Sequence, residues 1–306
     1  MTTSTGGIVA IVLACVVWGL SPIYYKPLEV VPTTEVLAHR TLWSLIAFSL
    51  VLVVQGRLGD LRAALAGPRA IAITLVATAM ISVNWFLFIY SVQVGRVAEA
   101  ALGYYIFPLV AVLIGVVTFG ERLGRLQWAA VAIATVAVLV KTWAEGVPPW
   151  IGLVLAVTFG VYGTVKKRLS AGPVATVSAE VALITPLSLG YLVWQHGFSA
   201  SGGVFGADWI TTVLLAFSGV MTALPLMLFS SAAQRVPMAT VGLVQYVNPT
   251  LQFFCAVVVF GEPFGPSDAV VFGLIWAALA LYSAAGIVSA RAARKSVTAA
   301  SADPPI

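Results

Sequence analysis

Ionisable and aromatic side chains stand inside long apolar stretches of this sequence, where a charged group is costly to bury. His39 and Arg40 are adjacent, and Trp43 follows within one turn. His39 and Trp43 are four residues apart, so they share one face of a helix. A cationic and aromatic wall of this kind suits a solute that carries a carboxylate. The alternative is that Arg40 pairs with Glu35 or Glu99 at the outer rim and orders a loop.

Glu180 is the charged residue that lies deepest in any apolar stretch. A carboxylate in this position could bind a proton in exchange for a substrate, which predicts a role for Glu180 in coupling. The alternative is a carboxylate tied to Lys166 or Lys167 near the end of the preceding stretch.

Further polar and aromatic residues lie in mid-stretch or close to a proline. Asn84 and its neighbour Trp85 fall in a third stretch, where Asn84 either binds a substrate or bonds a neighbouring helix. A proline inside a helix leaves a carbonyl unpaired and permits a kink. Side chains that precede such prolines are therefore predicted to line a cavity. For each aromatic residue among them, the alternative is an anchor at the membrane interface. The residues are Trp18 before Pro22, Tyr104 and Tyr105 before Pro108, and Gln245 and Tyr246 before Pro249.

These residues must be positioned by membrane-spanning helices, because a chain with so few charged residues cannot cover a water-facing surface. The chain is 60% hydrophobic and 9% charged, whereas soluble domains carry about 25% charged residues. Its apolar runs are about 20 residues long, enough to cross a bilayer as helices. The predicted fold is all-α, with ten transmembrane helices over residues 6–25, 35–55, 70–92, 98–119, 125–143, 150–168, 174–195, 209–232, 239–260 and 267–290.

An internal repeat organises these ten spans. Residues 103–123 return as residues 244–264, which is 141 positions later, and Glu180 is likewise 141 positions after His39. Five spans per copy is an odd number, so the second copy must insert upside down, as in transporters that work by alternating access. The clearest matched positions are Tyr105 with Tyr246, Pro108 with Pro249, and Gly120-Glu121 with Gly261-Glu262.

Lysine and arginine set the orientation. With the N-terminus inside, the inner connections hold twelve of them and the outer ones three. Such a bias places both termini of a multi-pass protein in the cytoplasm. The outer three are Lys26, Arg96 and Lys141.

At this point the chain resembles the EamA family of the drug/metabolite transporter superfamily, through the two five-span units whose fourth spans end in Pro-(x)11-Gly-Glu. The segment from Trp18 to Lys26, with Glu35 and residues 39–44, looks like the RarD branch. The resemblance implies a location in the cell (inner) membrane, ten helices, a central cavity between the halves, and export of small polar or amphipathic metabolites. It divides the chain into a first repeat (1–144), a second, inverted repeat (145–290) and a cytoplasmic tail (291–306) that we expect to be disordered.

The predicted function is therefore a secondary transporter that exports a small metabolite or an amphipathic drug-like molecule, with coupling to proton or solute exchange. An uncoupled facilitator or channel is the alternative. No Walker loop, GxSxG or HExxH motif is present, so neither an enzyme, a cofactor nor nucleic-acid binding is predicted. With only His39 and His196 in the chain, no metal centre is predicted either. The expected partners are a small-molecule substrate and the lipid bilayer, for a monomer or homodimer.

Two structural roles complete the prediction. Glu121 and Glu262 end spans and are expected to cap the N-terminus of a following helix, where a carboxylate is favoured. Small residues let helices approach closely, and the glycines expected to do so are Gly103, Gly115, Gly160, Gly163, Gly219 and Gly242.

Overall fold

The computed structural model describes residues 5–120, 123–166, 169, 172–199, 202–233, 235–236, 241 and 244–300. Over these residues the chain is helical, and its one recorded β-bridge joins Phe205 to Asp208. The α-helices are α1 (Thr5–Tyr25), α2 (Thr33–Val54), α3 (Leu58–Ala64), α4 (Pro68–Gln93), α5 (Val97–Phe119), α6 (Arg125–Glu145), α7 (Trp150–Lys166), α8 (Pro173–Gly197), α9 (Trp209–Ala233), α10 (Val247–Phe254) and α11 (Pro266–Ala300).

Eight of the helices in the described part of the chain are long and apolar enough to cross a membrane. Two shorter apolar helices accompany them, Trp150–Lys166 and Val247–Val259. The all-α membrane fold predicted from composition is therefore confirmed, while the count of ten spans stays a prediction. Each of the ten predicted spans coincides at least in part with one of these helices.

The structure departs from the predicted spans in three places. The connection after α2 contains a short helix, α3, that hydropathy did not predict. The predicted span 239–260 is broken: a turn at Gln245 and Tyr246 precedes α10, and a π-helix, Cys255–Val259, follows it. Proline lacks an N–H donor and is tolerated in the first turn of a helix, so Pro249 favours a helix that begins just before it.

The third departure is at the C-terminus. Helix α11 runs to Ala300, ten residues past the predicted end of the last span. Residues 291–300 are rich in Ala, Arg and Lys, which favour helix once a preceding helix supplies the first turns. They belong to the segment that the sequence predicted as a disordered tail.

The described chain packs as two compact units. The first comprises residues 1–107 and 151–263 and the second comprises residues 108–150 and 264–306. Each unit draws on both halves of the sequence, so this division differs from that of the two repeats, which stays a prediction. Inside the second unit α6 packs on α11, and Lys141 of α6 pairs with Asp268 and, at 2.6 Å, with Glu145.

Close helix approach within the first unit depends on glycine, as predicted, at two positions. A Cβ on Gly103 would collide with the backbone of Gly152 in α7, and a Cβ on Gly219 would collide with the backbone of Trp43 in α2. The prediction is wrong for Gly163, whose Cβ position has no neighbour within 4 Å. Gly242 lies outside the described residues.

Carboxylates cap helix N-termini in the first unit. Glu262 accepts hydrogen bonds from the backbone N–H groups of Val97 (2.7 Å) and Ala98 (2.8 Å). The predicted capping role is confirmed, but the capped helix is α5 rather than the helix that follows Glu262. Glu121, Arg122, Lys167 and Arg168 lie outside the described residues.

The loop before α9 has its own cap. Asp208 accepts a hydrogen bond from the Thr211 N–H at 2.7 Å. This bond holds the pKa of the Asp208 carboxyl below its usual value of 3.8, because it favours the charged form. The capped helix, α9, is one of the elements that position the residues described next.

Candidate functional site

Arg40 lies at the centre of the candidate site in the first unit. Its side chain is 7% exposed. The guanidinium carbon is 4.3 Å from the ring centroid of Trp85 and 5.7 Å from that of Tyr25. Its Nε donates a hydrogen bond to Thr222 Oγ1 at 3.0 Å. A buried guanidinium with aromatic rings at these distances is held by cation–π attraction.

The packing of α2 on α9 accounts for this position. Gly219 lies directly against the backbone of Trp43. Thr222 follows Gly219 by three residues and Arg40 precedes Trp43 by three, so each lies about one helical turn from this contact. The Thr222 hydroxyl thereby comes within reach of the guanidinium. The absence of a side chain at Gly219 therefore helps to place Arg40.

The predicted alternative for Arg40, an ion pair at the outer rim, is wrong. Glu99 instead pairs with Arg96 at 2.5 Å and accepts the Ile151 N–H at 2.7 Å. Glu35 accepts the Val204 N–H at 2.8 Å. No carboxylate among the described residues forms an ion pair with Arg40.

A row of aromatic rings runs from the Arg40 region to Glu180. Successive ring centroids lie 6.1, 6.1, 6.1 and 5.9 Å apart. The first three contacts are edge-on and the last is stacked, both favourable arrangements. We call this set the aromatic row: Tyr25, Phe88, Tyr104, Phe159 and Tyr162.

Glu180 lies at the far end of the aromatic row, 1% exposed. Lys166 Nζ is 2.7 Å from its Oε1, and the Tyr162 hydroxyl donates to its Oε2 at 3.1 Å. The ammonium also lies 5.1 Å from the Tyr162 ring centroid. Of the two roles predicted for Glu180, the ion pair with Lys166 is observed, and coupling stays a prediction.

Asn84 bonds a neighbouring helix, which was the alternative to substrate binding. Its Nδ2 donates to the Leu155 carbonyl at 2.9 Å and to Thr158 Oγ1 at 3.1 Å, both on α7. Its Oδ1 accepts from the Tyr104 hydroxyl at 3.0 Å. Both amide hydrogens and the carbonyl thus have partners, as a side chain 1% exposed requires.

His39 and Trp43 share a face, as the spacing predicts, and that face meets the loop before α9. The His39 ring stacks on Phe205 with centroids 4.6 Å apart and planes inclined by 19°. Trp43 lies 6.2 Å from the same ring. The predicted aromatic wall therefore includes a loop residue that no helical periodicity could identify.

The remaining predicted residues lie on α1, on α5 and in the turn before α10. Trp18 contacts Phe229 of α9, with ring centroids 5.9 Å apart. The Tyr105 hydroxyl lies 2.7 Å from Thr250 Oγ1, which also donates to the Tyr246 carbonyl at 2.7 Å. Gln245 shares the turn before α10 with Tyr246. The structure thus separates Tyr104, in the aromatic row, from its neighbour Tyr105.

Sequence reasoning missed several residues of the site. Phe159 and Tyr162 share helical spacing on α7 with Lys166, which the sequence did single out, and that periodicity could have identified them. Tyr25 and Thr222 carried no comparable signal, since their roles depend on packing between distant helices.

Comparisons with known proteins agree with one another. The chain matches the model of the EamA-like transporter family twice, over residues 5–143 and 149–284. Protein RarD of Streptomyces exfoliatus is 43% identical over 284 residues, which are 92% of this chain and 90% of that protein. An uncharacterized transporter of Bacillus subtilis strain 168, YojE, is 39% identical over 292 residues, 94% of this chain and 97% of that protein.

A solved structure described as the crystal structure of a protein shares the fold. It superposes with a TM-score of 0.59 at 19% sequence identity, and the match covers 91% of this chain and 98% of that one. At that identity the likeness shows the fold alone.

Proposed function

Because this chain belongs to the EamA-like transporter family and is of the RarD type, we propose that it is a secondary transporter that exports a small metabolite by alternating access. Membership indicates a multi-pass membrane transporter rather than an enzyme. The substrate, the mechanism and the coupling are the parts that we propose.

The proposed architecture is ten spans in two inverted repeats, 1–144 and 145–290, with both termini in the cytoplasm. Support comes from the two separate matches to the family model. The eight long helices and two shorter apolar ones also add up to ten. The 17 residues of α7 would extend about 25 Å, close to the thickness of a bilayer core of about 30 Å. The twelve inner lysines and arginines support the orientation and an inner-membrane location.

The observation that carries the proposed substrate class is the buried Arg40, which has no ion pair with a described carboxylate. A buried charge that lacks a counter-ion is costly. We therefore assign the carboxylate of the substrate to the Arg40 guanidinium, whose planar fork suits a two-point contact. Trp85 and Tyr25 would stack on the apolar body of the same molecule.

Proton exchange at Glu180 is the proposed coupling. It requires the Lys166–Glu180 pair to open during the transport cycle, so that the carboxylate can take up a proton. The 2.7 Å ion pair gives specific support to a second candidate, an uncoupled facilitator, because a carboxylate that stays paired carries no proton.

Efflux from proteoliposomes tests both candidates. Vesicles that contain the protein would be loaded with a pool of amino acids and aromatic carboxylic acids, and efflux would be followed by mass spectrometry with and without a pH gradient. Exchange with protons predicts efflux of a carboxylate class that the gradient accelerates, and a loss of that acceleration in Glu180→Gln. Efflux that ignores the gradient in wild type and variant would establish the facilitator instead.

A further inference from the structure

Three potential metal ligands converge where α2, α8 and the loop before α9 meet. Glu35 and His39 lie in the first two turns of α2, and His196 lies in the last turn of α8. One ligand atom from each residue lies within 4.8 Å of the other two. The shortest recorded separation joins His196 Nε2 to Glu35 Oε1, at 3.8 Å.

Three buried polar atoms of this cluster lack hydrogen-bond partners among the described residues. Glu35 is 0% exposed and His39 is 4% exposed. Glu35 Oε2, His39 Nδ1 and His39 Nε2 have no hydrogen-bond partner among the described residues. Buried polar atoms in native proteins are nearly always satisfied by protein, water or an ion, so unsatisfied atoms on two neighbouring ligand-type side chains indicate a bound species.

We propose that Glu35, His39 and His196 bind a divalent transition-metal ion of the zinc class. Two imidazoles and one carboxylate are a ligand set that Zn²⁺ takes, with a fourth position for water or another ligand. Bonds of about 2.0–2.1 Å would place neighbouring ligand atoms about 3.3 Å apart. The separations between the ligand atoms, which are at most 4.8 Å, therefore need to shorten by about 1.5 Å at most. His196, 37% exposed at its side chain, gives the ion access from outside.

The bound ion would hold the loop before α9 on the helix ends. Val204 donates its N–H to Glu35 at 2.8 Å, and Phe205 stacks on His39. A Cβ on Gly203 would collide with the His196 ring, so the loop backbone lies directly against a ligand. A metal that fixes the three ligands therefore also fixes residues 203–205.

This site goes beyond the proposed transport function and does not depend on it. The sequence prediction against a metal centre relied on the presence of only two histidines, which are 157 residues apart. Only the packing of α2 beside α8 brings them together.

Equilibrium dialysis of the purified full chain against zinc, followed by elemental mass spectrometry, tests the site directly. The protein must carry no polyhistidine tag. We expect one zinc per chain at micromolar zinc, and an affinity at least tenfold lower in His39→Asn, His196→Asn and Glu35→Gln. Glu29→Gln is the matched control, because Glu29 precedes α2, is half-exposed and pairs with Lys26. Substoichiometric binding by wild type, or undiminished binding by His196→Asn, would overturn the proposal.

Limited proteolysis with chymotrypsin provides a second measurement. Each protein is compared with itself in the presence and absence of zinc, so differences in stability between variants do not affect the result. Zinc should slow cleavage after Phe205 in wild type and leave the cleavage rate of His196→Asn unchanged. Cleavage of wild type at the same rate with and without zinc would overturn the role of the ion in holding the loop.

Discussion

Arg40 and Glu180 are both buried charges, but the residues around them differ. Glu180 has an ammonium at 2.7 Å and a phenol at 3.1 Å. Arg40 has two aromatic rings and one hydroxyl. A pair that is satisfied within the protein stabilises one conformation, whereas a cation that lacks a counter-ion can gain one from a ligand. This contrast is the reason why we propose that Arg40 binds the substrate.

Removal of Lys166 alone should destabilise the protein strongly. Lys166→Met would leave the Glu180 carboxylate buried and unpaired, which costs about 3–5 kcal/mol. The double variant Lys166→Met/Glu180→Gln should recover much of that loss, because no charge then remains buried. Thermal unfolding in detergent measures both.

Lys26→Met is the control for Lys166→Met. The Lys26–Glu29 pair is 36% and 45% exposed, so its loss should change stability by at most about 1 kcal/mol. Equal destabilisation by the two lysine substitutions would contradict a buried pair at Glu180.

Individual residues were predictable from the sequence when burial of their side chains in an apolar stretch would cost free energy. Arg40 and Glu180 were identified because charges in apolar stretches demand an explanation. The choice between two roles for Asn84 could not be made, since it depended on which helix lay opposite. The structure places Thr158 of α7 there, 3.1 Å away.

Among the helices, the pair α2 and α9 positions the site, and Gly219 permits their approach. Gly219→Ala would place a methyl group against the Trp43 backbone, which cannot move without separating the helices. We expect a loss of about 1–3 kcal/mol of stability, together with weaker substrate binding as Thr222 moves away from Arg40. Thermal unfolding and substrate titration measure the two effects.

Gly163→Ala is the matched control for Gly219→Ala. Gly163 also lies within an apolar helix, but its Cβ position is open. Alanine is favoured over glycine in a helix interior by up to about 1 kcal/mol, so this variant should be unchanged or more stable. Comparable destabilisation of both variants would contradict close packing at Gly219.

Helix positions followed from hydropathy, but breaks within helices did not. Every boundary of α4, α5 and α9 lies within two residues of the predicted one. The turn and π-helix that interrupt residues 239–260 lie in an apolar run, where hydropathy is uniform and gives no signal. Pro249 marked the place, but not whether the helix would kink or stop there.

For the molecule as a whole, the internal repeat predicts an inverted topology that labelling can test. Both native cysteines are buried, as predicted, and would be replaced by alanine. Single cysteines would then be introduced by Gln55→Cys, on the predicted inner side, and by Val147→Cys, on the predicted outer side. A membrane-impermeant maleimide should label only the second in intact cells, whereas labelling of the first would contradict the orientation.

The repeat and the family were recognisable from sequence because both depend on order along the chain. The two compact units were not, since each combines helices from both halves. The Glu35, His39 and His196 cluster was unpredictable for the same reason: its members come from separate helices, and only tertiary packing sets their distances.

The most direct test of carboxylate recognition by Arg40 is a binding comparison of matched acids and amides. Calorimetric titration would compare an aromatic carboxylic acid from the efflux screen with its neutral amide, on wild type, Arg40→Gln and the control Arg57→Gln. Arg57 is exposed and paired with Asp60. We predict that wild type and Arg57→Gln bind the acid at least tenfold more tightly than the amide, and that Arg40→Gln does not discriminate. Equal binding of acid and amide by wild type, or unchanged discrimination by Arg40→Gln, would contradict the assignment of the substrate carboxylate to Arg40.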